Sequence, residues 1–165
     1  LVKKAIIENT KGNCHSLSLD LFDQWQAMEK NAQWRFTPPT HVLAAFYQAL
    51  KEHHAEGGVQ GRYNRYMQNC KIICKGMKEM GFKQLLPDHL QAPIIITFMQ
   101  PNDSNFKFEE FYNALSEKDF LIYPGKLTIA NTFRIGCIGY LSPNDMLEAL
   151  KAIKKTIQEL SIQLN

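Results

Sequence analysis

Apolar residues recur along this chain at helical spacing in some stretches and in short runs in others, and the change between the two divides it. Val42, Leu43, Phe46, Ala49 and Leu50 fall at helical intervals, which predicts a helix that Thr40 can cap and that Gly57-Gly58 stops. A second helix is expected from near Val59 to Gly81. Its apolar positions, Val59, Tyr63, Tyr66, Cys70, Ile73, Met77 and Met80, draw one stripe in alternating steps of four and three. The first forty residues are irregular. Residues 16–22 alternate polar and apolar side chains and suggest a short strand, and residues 23–28 suggest a helical turn. Pro38-Pro39 forbids a helix and holds residues 35–40 as an extended loop.

Beyond Gly81 the pattern changes. Residues 82–86 and 93–99 read as strands, the second buried on both faces. Residues 108–118 read as a helix with Phe111, Tyr112 and Leu115 inward, residues 120–123 as a strand ending at Pro124-Gly125, and residues 132–139 as another strand. Ser142-Pro143-Asn144-Asp145 is a capping box with proline at the first helical position. The helix it opens carries Met146, Leu150, Ile153, Ile157, Leu160 and Leu164 on one face. From residue 93 the order is strand, helix, strand, strand, helix. With short connections this predicts an α/β two-layer sandwich, a small mainly antiparallel sheet with helices on one face. Residues 82–86 are expected at the sheet edge.

Composition narrows the classes. At 165 residues, 45% hydrophobic and 21% charged, the chain can bury a sizeable core, which excludes disorder. A net charge of +3 falls short of what nucleic-acid binding calls for. The longest apolar run, Ile94-Ile95-Ile96, is far too short for a bilayer, and no secretory signal is visible. A soluble cytoplasmic protein is expected, and Leu1 in place of an initiator Met suggests a piece of a longer one. The cysteines, Cys14, Cys70, Cys74 and Cys137, form no CxxC pair. Cys70 and Cys74 share a helix face. Packing as small, inert core residues is the plainer reading, with a redox or zinc role the alternative.

Chemistry-bearing motifs are few: no P-loop, GxGxxG, HExxH or GxSxG occurs. His53-His54 beside Glu52 and Glu56 reads as a solvated helix end, with a metal site the alternative. Two places stand out. Arg134 lies inside a strand among apolar residues, near Gly136 and Gly139. A buried arginine needs an anion, either an internal carboxylate or a substrate acid held by the planar guanidinium fork. The loop carrying Thr37 and Thr40 precedes a helix start, where hydroxyls and free N–H groups suit a phosphate, although capping alone would explain Thr40.

Four segments, in order, carry a resemblance: Ser16-Leu17-Ser18-Leu19-Asp20-Leu21-Phe22-Asp23-Gln24-Trp25, Trp34-Arg35-Phe36-Thr37-Pro38-Pro39-Thr40-His41, Tyr123-Pro124-Gly125-Lys126 and Phe133-Arg134-Ile135-Gly136. Together they resemble the 2-aminoethylphosphonate–pyruvate aminotransferases, within the class V aminotransferases of pyridoxal-phosphate fold type I. The resemblance covers essentially the whole chain. It implies that residues 1–40 are the end of the large domain with its dimer-interface segment, and residues 41–165 the small C-terminal domain. It implies a homodimer that binds pyridoxal 5'-phosphate and passes an amino group from an aminophosphonate to pyruvate, giving phosphonoacetaldehyde and alanine.

The same resemblance implies two site residues. Arg134 matches the arginine that anchors the substrate's acidic group, and Thr37 the threonine that reaches the cofactor phosphate across the dimer interface. The family's cofactor lysine lies before Leu1, and Lys3 and Lys4 do not match its motif, so this stretch is expected to be inactive alone. Cys137 stands where the family has Asn. Class V relatives of the alanine–glyoxylate or serine–pyruvate type are the nearest alternative, and a non-catalytic binding domain the more distant one. The alternating segment around Ser16 favours the phosphonate enzymes.

Overall fold

The computed structural model describes residues 1–126 and 129–164. The chain forms two compact units, Leu1–Glu52 and His53–Asn165.

The first unit contains helix α1 (Lys4–Ile7), helix α2 (Leu21–Asn31) and most of helix α3 (Thr40–Ala55). No strand forms over residues 16–22. The Asp20 carboxylate accepts from the Asp23 N–H at 3.0 Å and the Asp20 carbonyl from Gln24 N–H at 3.1 Å, so a helix N-terminus forms where alternation had suggested a strand. The expected helical turn after Asp23 is thus the body of an eleven-residue helix. It ends at Ala32, which takes a left-handed conformation with φ 57°. Arg35 ties the following loop back: its guanidinium donates to the Leu17 carbonyl at 3.1 Å and lies 3.2 Å from the Asp23 carboxylate. Pro38-Pro39 stays non-helical, as its chemistry requires. α3 opens on the Pro39 carbonyl, which accepts from Leu43 N–H at 3.0 Å, so Thr40 is its first residue and not its side-chain cap. No residue of α3 is buried; Val42, Phe46 and Tyr47 all stand exposed.

The second unit opens with helix α4 (Gly58–Met80), flanked by Gly57 and Gly81 in left-handed conformations. It continues through a single 3-10 turn at Asp88–Leu90, strand β1 (Ile95–Met99), helix α5 (Phe108–Ser116), strand β2 (Tyr123–Pro124), strand β3 (Thr132–Gly136) and helix α6 (Pro143–Glu159). The sheet is antiparallel with order β1-β3-β2, and its register sets Ile96 opposite Ile135, Thr97 opposite Arg134 and Phe98 opposite Phe133. Ile96, Phe98, Phe133 and Ile135 point to one face. There they join Ile73 and Met77 of α4, Phe111 and Leu115 of α5, and Met146 and Ile153 of α6 in one core. This is the two-layer arrangement expected, with the three helices on one side of the sheet.

Several local expectations change. β1 alternates between buried and half-exposed positions, so only one of its faces is covered. Residues 82–86 make only an isolated bridge, Gln84 to Phe98, at the β1 edge. β2 shrinks to two residues because Pro124 has no N–H to extend the ladder. β3 stops at Gly136. Within α4 only the C-terminal half of the stripe is core: Cys70, Ile73 and Met77 are buried, whereas Val59 and Tyr63 are exposed. Cys74 is half-buried, which corrects its reading as a sealed core thiol. The Ser142 capping box forms as written, with Ser142 Oγ accepting from Asp145 N–H and the Asp145 carboxylate accepting from Ser142 N–H.

Candidate functional site

The strand that carries Arg134 is built by alternation. Phe133 and Ile135 turn inward to the aromatic core, where the Phe133 ring lies 5.5 Å from Phe82 and 5.8 Å from Phe98. Arg134, between them, must turn to the opposite face. It is half-exposed there, not buried among the apolar residues that flank it in sequence. Its Nε donates to the Pro124 carbonyl at 3.1 Å, and its guanidinium carbon lies 6.0 Å from the Tyr123 ring centroid. β2 therefore holds the arginine's stem. Among the described residues no carboxylate comes within 4.0 Å of it, so the internal ion pair weighed from the sequence does not form. Gly136 shares this face two residues on, and a Cβ there would meet only the Tyr123 ring edge, at 4.0 Å. The face beside the guanidinium is open, and its terminal N–H groups can fork onto a planar or tetrahedral acid.

Thr37 lies in the first unit, exposed in the loop between α2 and α3. Thr40 N–H donates to the Pro38 carbonyl at 2.8 Å, which sets the turn into α3. An exposed hydroxyl just ahead of a sixteen-residue helix suits a phosphate oxygen.

A polar network that no sequence motif announces lies in the second unit. The Glu56 carboxylate takes Arg65 Nε at 2.6 Å and Arg62 Nε at 2.8 Å. These hydrogen bonds, Arg65's first, hold its pKa down at about 2. Arg65 Nη1 also donates to the Gly139 and Leu141 carbonyls at 2.6 and 3.0 Å. Buried Asn69 donates to the Cys137 and Leu141 carbonyls at 3.3 and 3.0 Å. Together Arg65 and Asn69 pin the turn joining β3 to α6. Sequence gave no sign of this, because the partners lie about seventy residues apart and the acceptors are backbone carbonyls. Glu56 is thus committed to arginines, and among the described residues no group of three His, Cys, Asp or Glu side chains could hold a metal ion. No helix among the described residues is long and apolar enough to cross a membrane.

Comparison with known proteins places this geometry. No protein-family model matches the chain. Among solved structures, pyridoxamine–pyruvate aminotransferase from Mesorhizobium loti superposes with a TM-score of 0.80 at 19% identity, over 99% of this chain and 43% of that one. The helices and small three-stranded antiparallel sheet are those of the C-terminal domain of fold type I aminotransferases.

Sequence carries the relation further. The chain is 47% identical over 160 residues to 2-aminoethylphosphonate–pyruvate transaminase of Pseudomonas aeruginosa (strain UCBPP-PA14), and 48% identical over 164 residues to the protein of that name from Cupriavidus taiwanensis. These alignments take in 97% and 99% of this chain but 43% and 44% of the relatives. The chain belongs to the 2-aminoethylphosphonate–pyruvate transaminase family and corresponds to the C-terminal portion of its members.

Proposed function

We propose that the protein transfers the amino group of 2-aminoethylphosphonate to pyruvate with pyridoxal 5'-phosphate as cofactor, and that this chain supplies the substrate-anchoring arginine. The observation that carries the reading is the 47% identity over nearly the whole chain to transaminases of that name. The half-exposed guanidinium of Arg134 supports it, since no carboxylate among the described residues neutralises it. In this role Arg134 binds the substrate's acid through paired N–H donors, while the Pro124 carbonyl and the Tyr123 ring restrain its stem. Amino donor and pyruvate each present an anionic group, so one arginine serves both halves of the reaction.

The exposed hydroxyl of Thr37 fits a cofactor phosphate, and in a homodimer it would reach the partner's cofactor. Pyridoxal phosphate, when bound, supplies an electron sink for the carbon that bears the amino group. In this reading residues 1–40 close the large domain and contribute the dimer-interface segment, residues 41–165 form the small domain, and the work is cytoplasmic. The cofactor lysine then belongs to the part of the relatives that this stretch does not span, and the stretch alone has no transaminase activity.

The test is amino transfer by the full-length protein loaded with cofactor. Alanine should form from pyruvate with 2-aminoethylphosphonate as donor, well ahead of turnover with alanine and glyoxylate or with serine and pyruvate. Faster turnover of either of those pairs would move the protein to another branch of class V.

A further inference from the structure

Three of the four cysteines gather in one place. Cys70 and Cys74, one turn apart on α4, hold their sulfurs 3.8 Å apart. Cys137, just beyond β3 and fully buried, adjoins Cys70. Cys70 and Cys74 also form part of the wall of a cavity of about 490 Å³ between α4 and the segment that leads into β1. Lys71, Lys75, Lys78 and Asp88 line the same cavity. Lys75 has the exposed Glu79 3.8 Å away, which leaves Lys71 and Lys78 without a carboxylate within 4.0 Å among the described residues. Gln84 lines it too, and its buried Nε2 has no hydrogen-bond partner among the described residues. A pair of touching thiols, an excess of positive charge and an unused amide donor thus share one opening.

We propose that Cys74 and Cys70 are a dithiol exchange site for small disulfides that carry carboxylates. The lysines draw the acid groups in, and Gln84 offers them a directed hydrogen bond. Hydrogen bonding to Cys137, and then to Cys74, favours the thiolate at Cys70, while the Cys74 and Cys137 thiols are pushed up. The Cys70 thiolate, in the cavity wall, attacks one sulfur of the incoming disulfide, and the other half leaves as a thiolate. Cys74, after losing its proton to solvent, attacks the Cys70 sulfur across the 3.8 Å contact and expels the second half. Two protein thiols are oxidised to a disulfide and one small disulfide is reduced to two thiols, so electrons and atoms balance.

Helix geometry makes the product reversible. Residues one turn apart carry Cβ atoms about 5–6 Å apart, whereas a relaxed disulfide wants about 3.5–4.5 Å. The bridge would draw one turn of α4 inward and would be strained, which raises its potential and makes it easy to reduce. The site stands independently of the transaminase reading and can be tested without cofactor.

The experiment uses the full chain with exposed Cys14 replaced, C14S, so that of these four cysteines only the cluster can react. The native protein is treated with oxidised glutathione, which is anionic, or with cystamine, which is cationic, and followed by intact mass and by alkylation of remaining thiols. Oxidised glutathione should convert the pair to an internal disulfide about tenfold faster than cystamine at low ionic strength, and added salt should close the gap. With C74S a mixed disulfide should accumulate at Cys70, and with C70S reaction should stop. K71E and K78E leave the thiols intact and sit on the surface, so they should fold; they should erase the preference for the anion. Thiols that react only after denaturation, a cystamine rate equal to that of oxidised glutathione, or unchanged preference in K71E and K78E would each overturn the proposal.

Discussion

Replacing Phe133 with alanine probes how the fold holds the candidate site. Phe133 is fully buried at the centre of β3. Its ring meets Phe82 and Phe111 edge-on at 5.5 and 5.8 Å, and lies within 6.5 Å of Phe98, Phe106 and Phe108. Removing it leaves a void walled by five aromatic rings, which cannot collapse without moving strands and α5 together. Truncating a buried phenylalanine costs about 3–5 kcal/mol, and the surrounding rings place this one at the upper end. A domain this size has about 5–15 kcal/mol in all, so F133A should remove a large share of it. Urea titration of the full chain should show the midpoint falling sharply with an unchanged slope. F133L, which keeps most of the volume, should lose less than half as much. The neighbouring R134A, on the open face, should shift stability by no more than about 0.5 kcal/mol. If F133A lost less than about 1.5 kcal/mol, or if R134A matched it, the division of β3 into a structural and a functional face would be wrong.

Two further predictions follow from the polar groups. Glu56 has its pKa lowered from an ordinary 4.5 to about 2 by Arg65 and Arg62, so its contribution to stability is fully present above 4.5 and is lost as pH falls toward 2. E56Q should flatten the loss of stability over that window, and denaturation curves at several pH values that stay parallel to the native ones would contradict it. In the full-length enzyme T37A should weaken pyridoxal phosphate binding by about 1.5–3 kcal/mol, the worth of a hydrogen bond to a charged group, with no change in melting of the apoprotein; unchanged affinity in a cofactor titration would return Thr37 to a loop role.

Long-range periodicity made most of the second unit legible in advance. The four-three stripe of α4, the Ser142 capping box and the strand-helix-strand-strand-helix order each rest on local rules that the packing then uses. Over residues 16–22 local rules compete. Leu17, Leu19 and Leu21 alternate like a strand, but the Asp20 cap and the Arg35 ties win, and those three leucines are exposed. The apolar neighbours of Arg134 suggest burial, whereas alternation sends them inward and the arginine outward. Nothing in the sequence marks Arg65 and Asn69, because their acceptors are the Cys137, Gly139 and Leu141 carbonyls, which carry no side-chain signal. The thiol cluster was half visible: one helix face shows Cys70 beside Cys74, but only the fold brings Cys137 to them.

The central claim, that Arg134 anchors the substrate acid, is tested most directly by steady-state kinetics of R134A and R134K in the full-length, cofactor-loaded enzyme. Loss of charge-assisted hydrogen bonds, about 1.5–3 kcal/mol, corresponds to a drop in kcat/KM of roughly tenfold to a few hundredfold. The drop should appear for both 2-aminoethylphosphonate and pyruvate. R134K should recover little of it, since an ammonium cannot present a planar fork, and cofactor affinity should stay near normal. Normal kinetics in folded R134A, with the damage confined to stability, would make Arg134 a structural residue that braces β3 through the Pro124 carbonyl and would contradict the account.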